Sequence, residues 1–98
     1  MKRYFKELGL KIFHVNQTFA DTGGVNTYML SLIQLLDQEG IVNIPVYLEE
    51  HENQLTYNGV AYWTPTLSSL ILILKAESPD VVLIHSVYHP EIISYLAQ

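Results

Sequence analysis

The sequence predicts an α/β fold, a mainly parallel sheet of about four strands in the order 3-2-1-4 with helices packed on both faces. Three observations carry that prediction. Ile12–Val15 and Val81–Ile84 are short, near-continuous apolar runs, the pattern of strands covered on both sides. After Gly23-Gly24, apolar residues fall at Val25, Tyr28, Met29, Leu32, Ile33 and Leu36, which is helical spacing with one face turned to a core. Strand-like and helix-like segments then alternate, the rhythm of βαβ units joined by right-handed crossovers.

Composition bounds the rest. At 98 residues the chain is one domain at most, and it is apolar for its size, with 49% hydrophobic and 15% charged residues. Its formal charge is −5. Lys2, Arg3, Lys6 and Lys11 cluster at the start, leaving Lys75 as the only basic residue beyond them. A body so poor in cations repels phosphate backbones, which argues against nucleic acid as a partner. Cysteine is absent, so disulfides and thiolate metal sites are excluded. With no signal peptide and no membrane-spanning run, a cytoplasmic location is the default, possible membrane-peripheral contact being left to the basic start.

Taken in order, Met1 to Leu10 reads as a frayed or docked leader, or less often as an arm touching an anionic membrane. The first strand, Ile12–Val15, holds His14 within its apolar run. The polar loop Asn16 to Thr22, with Phe19 inside it, lies beyond the strand's carboxyl end, where open α/β sheets bind ligands. The helix that follows turns Thr27, Ser31, Gln34 and Asp37 outward, and Gly40 suits its left-handed stop. Asn43–Leu48 reads as the second strand, with Pro45 pointing to an edge or irregular position. Glu49, Glu50, His51 and Glu52 read as a solvated turn rather than a metal site. Asn58-Gly59 marks a tight turn, either within a small hairpin or into a third strand at Val60–Trp63.

Beyond Pro65, one of Thr66, Ser68 and Ser69 caps a helix over Leu67–Glu77, with Leu67, Leu70, Ile71 and Leu74 as its core line. Leu72 and Ile73 make this segment apolar nearly all round, so periodicity alone leaves a strand open here. Val81–Ile84 ends at His85. Pro90 suits the first turn of a last helix, whose apolar side is Ile92, Ile93 and Leu96. The last strand leaves an open edge, and that edge or the apolar helix face offers a possible homodimer contact.

The candidate site lies where the two buried strands end. Side by side, they bring Asn16 and the Gly23-Gly24 turn next to His85 and Ser86. Two glycines allow close approach to the main chain, and the helix they open offers unpaired N–H groups that favour an anion. The plainer reading is that the pair only makes a tight turn. The spacing matches neither the dinucleotide fingerprint nor a P-loop. His85 and His89 stand four apart, but Pro90 and their loop position argue against a shared metal, and no cofactor is expected.

The string KIFHVNQTFADTGGVNTYMLSLIQLLDQEG resembles the opening of family 4 retaining glycosyltransferases of the GT-B fold. PDVVLIHSVYHPEIISYLAQ is similar to a later strand and helix of the same family. The resemblance implies that residues 1–98 form a partial, Rossmann-like amino-terminal domain, acceptor-side, with further strands and a donor-binding second domain absent. It implies transfer of a sugar from a nucleotide-sugar donor to a glycan or lipid-linked acceptor, with the 98-residue chain inactive alone. On that resemblance Gly23-Gly24 contacts the donor diphosphate or the acceptor. His85 is the catalytic residue, positioning the transferred sugar, and Asn16 and Ser86 line the cleft. Alternatives are a non-catalytic α/β module that binds a partner or dimerises, and a flavodoxin-like nucleotide-binding domain.

Overall fold

The computed structural model describes residues 9–98, so most of the proposed basic leader lies outside the described residues. Four parallel strands form one sheet, β1 (Lys11–Asn16), β2 (Val42–Tyr47), β3 (Tyr62–Trp63) and β4 (Val81–Ile84), in the order β3-β2-β1-β4. Helix α1 (Gly24–Gln38) joins β1 to β2, α2 (Leu67–Glu77) joins β3 to β4, and α3 (Pro90–Leu96) follows β4. The predicted order and class are those observed.

β1 is the centre of the fold because it pairs on both sides, Phe13 standing opposite Ile44 on β2 and Val82 on β4. Side chains alternate along it. Phe13 and Val15 enter a core with Ile44, Val46, Leu70 and Ile92, which places α2 and α3 on that face. His14 and Asn16 point the other way, toward α1, whose Met29 and Ile33 pack with Phe19 and Tyr47. Phe19 thus pins the β1–α1 loop to the core.

Each helix ends as its chemistry dictates. Gly40 N–H reaches Asp37 C=O and Ile41 N–H reaches Leu36 C=O, a Schellman stop with Gly40 at φ 82°. Thr66 caps α2, and its side chain and that of Ser69 bond each other's backbone N–H in a reciprocal box. Tyr57 and Val60 exchange both backbone hydrogen bonds around Asn58-Gly59, whose φ values of 53° and 77° are those of a type I′ turn. The hairpin is reduced to that one bridge, and the third strand to two residues.

Four expectations need correction. β2 is an inner strand, although it carries Pro45. Val42 and Leu48 donate their N–H groups toward β1, whereas Tyr47 C=O accepts from Thr64, so odd-numbered residues turn their main chain toward β3. Pairing with β3 begins only at Val46, and Pro45's missing N–H therefore faces no partner strand. Along α2 it is Ile73, not Ile71, that joins Leu67, Leu70 and Leu74 against the core. On α1 the buried residues are Asn26, Met29 and Ile33, while Val25 and Tyr28 are exposed. Half of the predicted apolar face looks over β4, where no described element covers it. On α3, Ile92 is buried and Ile93 is not.

β4 pairs only with β1 among the described residues, and Val81 and Ile84 remain exposed along it. No helix of the described residues is long and apolar enough to cross a membrane.

Candidate functional site at the carboxyl ends of the central strands

β1 and β4 end together because Gln17 N–H donates to Ser86 C=O at 2.7 Å and the Gln17 side-chain oxygen accepts from Tyr88 N–H at 2.8 Å. Two adjoining hollows open there. One, of about 270 Å³, is lined by Asn16, Gly23, Gly24, Asn26, Glu49 and Ser86, among others. The second, of about 500 Å³, runs between α1 and β4 and is lined by Gly24, Val25, Tyr28, Leu32, Leu83 and His85. Gly24 and Val25 belong to both. The residues singled out from sequence therefore divide between the hollows, with Asn16, Gly23, Gly24 and Ser86 in the first and His85 in the second.

The start of α1 is bare. Thr27 N–H donates to Gly23 C=O at 3.2 Å, which leaves the N–H groups of Gly24, Val25 and Asn26 ahead of the helical ladder, and no side chain caps them. Of the two glycines, only Gly23 needs to be one for conformational reasons, because φ 80° with ψ 154° is a region that L residues scarcely enter. Gly24 has no positive φ, and a Cβ built on it meets nothing within 4 Å. Its lack of a side chain leaves the hollow open. Gly23→Ala is expected to cost roughly 1–3 kcal/mol of stability through strain alone. Urea unfolding checks this, and a cost near zero would show that α1 can start with another geometry.

Asn16 is almost wholly buried, and its Nδ2 donates to Thr18 C=O at 2.8 Å and to Asn26 Oδ1 at 3.4 Å. Its Oδ1 is buried without a hydrogen-bond partner among the described residues. An orphaned acceptor in that position costs about 1–3 kcal/mol, a cost that a ligand donor removes. Asn26, which periodicity alone did not single out, holds the loop in place. Its Nδ2 donates to Thr18 Oγ1 and Thr22 C=O, both at 3.0 Å, and its Oδ1 accepts from Ala20 N–H.

No family model, curated protein or solved structure matches this chain. Function must therefore be read from the chemistry of the residues themselves.

His85 is half-buried and hydrogen-bonds through Nε2 to His14 Nδ1 at 3.0 Å. The ring planes lie 14° apart with centroids separated by 5.3 Å. That separation is close to the N···N distance plus two ring radii, so the imidazoles meet edge to edge in nearly one plane. Tyr28 stands across His85 edge-on, at 6.4 Å between centroids. Burial, and secondarily the charge of His14, pushes the His85 pKa down to about 4. Burial also lowers the pKa of His14, against a hydrogen bond to the Asn43 side-chain oxygen that works the other way. At neutral pH the site thus offers anion-binding amides beside uncharged imidazoles. His89, at the N-terminus of α3, stands apart from this pair, and no group of three or more His, Asp or Glu able to hold a metal occurs among the described residues.

These shifts set a pH dependence. Unfolded, His85 takes up a proton near its ordinary 6.5, whereas the folded chain resists until about 4. The unfolded state therefore binds more protons across that window, and stability falls as pH drops from 6.5 toward 4. Glu77, whose pKa is lowered by hydrogen bonds from Tyr62 and Lys11, adds a loss of the same sign below the ordinary carboxylate range. A urea midpoint that declines between pH 7 and pH 5, and declines less in His85→Gln, is the expected result; an identical slope in both proteins contradicts it.

Sequence reading missed His14, Asn26 and Asn43. A usable signal existed, because a polar side chain inside a buried strand or on a helix's inner face must find a partner.

Proposed function

We propose that this chain is the acceptor-side, amino-terminal domain of a retaining GT-B glycosyltransferase that moves a sugar from a nucleotide-sugar to a glycan or lipid-linked acceptor. The observation that carries the reading is the uncapped start of α1 beside the orphaned Asn16 Oδ1. The amides suit a phosphate oxygen, and the amide oxygen suits a hydroxyl donated from the same ligand. A phosphorylated sugar carries both groups. Adjacent to them, His85, Tyr28 and Val25 line a larger hollow of a size fit for a sugar ring. In this reading Gly23 and Gly24 hold the diphosphate or the acceptor phosphate, Asn16 and Ser86 meet hydroxyls, and His85 orients the transferred sugar. The nucleotide end belongs to a second domain carrying a Glu-x7-Glu motif, which this sequence does not contain.

Calorimetric titration with UDP-glucose, GDP-mannose and inorganic pyrophosphate tests the reading. One site supplying a few exposed hydrogen bonds binds on the order of millimolar. A nucleotide-sugar is expected to bind more tightly than pyrophosphate; no binding of any of the three would overturn the assignment.

A second reading is favoured by the exposed Val81 and Ile84 on the open β4 edge. There the chain is a non-catalytic module that pairs β4 with a second copy. Sedimentation that shows concentration-dependent dimers, together with no nucleotide-sugar binding, would support it.

A further inference from the structure

Behind His85 lies a buried polar chain that the proposed transfer does not itself require. Asn43 Nδ2 donates to Ile41 C=O at 2.9 Å and lies 3.5 Å from Ile33 C=O, so the orientation of its amide is settled by two carbonyls. Its Oδ1 consequently faces His14 Nε2, at 2.8 Å. An amide oxygen only accepts, so His14 Nε2 carries a proton. A neutral imidazole holds one proton, so His14 Nδ1 is a lone pair. It must accept from His85 Nε2–H across the 3.0 Å contact. By the same count, His85 Nδ1 is left unprotonated. That atom has no hydrogen-bond partner among the described residues, and His85 lines the hollow between α1 and β4.

We infer that His14 and Asn43 are positioning residues that lock His85 in its Nε2–H tautomer, leaving Nδ1 as an acceptor for a ligand hydroxyl in the hollow between α1 and β4. The depressed basicity of both rings agrees with one proton on each. The titratable groups facing His85 are His14 from β1 and Tyr28 from α1. Neither supplies a carboxylate that would hold the ring protonated. The anion therefore belongs at the α1 amides and an uncharged hydroxyl at His85, a division of labour within one ligand. The tautomer stands on the hydrogen-bond geometry together with the neutrality of both rings, while the identity of the ligand rests on the glycosyl-transfer reading.

Imidazole nitrogens report their protons directly in long-range 1H–15N NMR spectra of labelled protein, with His85→Gln used to assign the signals. In the wild type at pH 7, both rings are expected as Nε2–H, with a coupling across the hydrogen bond from His85 Nε2 to His14 Nδ1. A proton on Nδ1 of either ring overturns the inference. A free imidazole already prefers Nε2–H, so Asn43→Asp gives the sharper test. Its carboxylate stabilises a second proton, taken from water, on His14. His14 Nδ1–H then donates to His85 Nε2, and His85 must move its own proton to Nδ1. Inversion of the His85 tautomer is expected in folded Asn43→Asp once the carboxyl 13C shift of the introduced side chain shows it ionised. An unchanged His85 spectrum in that ionised state sinks the relay. A carboxyl that keeps its proton on the Ile41 carbonyl reproduces the amide pattern, and the wild-type coupling then decides. Should that variant not fold, the wild-type coupling decides. Correct tautomers with no nucleotide-sugar binding would remove the glycosyl-transfer reading and leave the relay standing.

Discussion

Phe13→Ala is expected to lower the free energy of unfolding by about 3–5 kcal/mol. Phe13 is fully buried in the strand that pairs on both sides, and it packs with Val15, Ile44, Val46, Leu70 and Ile92. Truncation removes contacts to β2, α2 and α3 at once. The strands on either side are hydrogen-bonded to β1 and cannot collapse into the gap, so the cavity remains. A domain of this size has about 5–15 kcal/mol in total, so the variant keeps little reserve. Urea denaturation should show a much lower midpoint with the slope retained. Leu72→Ala on the exposed side of α2, where Leu72 is 68% accessible, should stay within about 0.5 kcal/mol. Equal costs at the two positions would mean that the core is not centred on β1.

Gly24→Val is expected to weaken binding of a nucleotide-sugar roughly 10- to 100-fold while changing stability little. The backbone at Gly24 is not in the left-handed region, and an added Cβ meets nothing, so the fold has no reason to resist the change. That empty space is the point. Both hollows share this residue, so a valine side chain there takes up space at their junction, next to the α1 amides. Loss of one charge-assisted hydrogen bond costs about 1.5–3 kcal/mol, which is the stated change in affinity. Gly23→Ala should do the opposite, lowering stability more than affinity. Calorimetry beside urea unfolding separates the two effects, and unaltered affinity in a folded Gly24→Val protein would place the ligand elsewhere.

How far the sequence could be read depended on which interactions are local. The two apolar strand runs, the Gly40 stop, the Thr66 cap and the Asn58-Gly59 turn are decided within a few residues, and each stands in the fold where it was expected. Pro45 misled because its effect depends on which neighbour its nitrogen faces, and β3 is too short to reach it. The outward turn of Val25 and Tyr28 was equally hidden, since spacing defines an apolar face but not what lies opposite. Of the candidate site, the nearness of the glycine turn, Asn16, His85 and Ser86 follows from topology, which delivers the strand ends to one end of the sheet, but not their division between two adjoining hollows. The His14–His85–Asn43 chain joins three strands or strand ends far apart in sequence, and only the register of β1 against β2 and β4 brings it together.

The central claim is that the bare start of α1 and the orphaned Asn16 oxygen together form the binding site for a phosphorylated sugar. Amide chemical-shift mapping during titration with UDP-glucose tests it most directly. The predicted result is that the N–H signals of Gly24, Val25 and Asn26 and the side-chain amide of Asn16 move together with one affinity, with inorganic pyrophosphate moving the first three alone. If the sugar nucleotide shifts none of these, or shifts residues of the opposite end of the sheet, the site has been assigned to the wrong place.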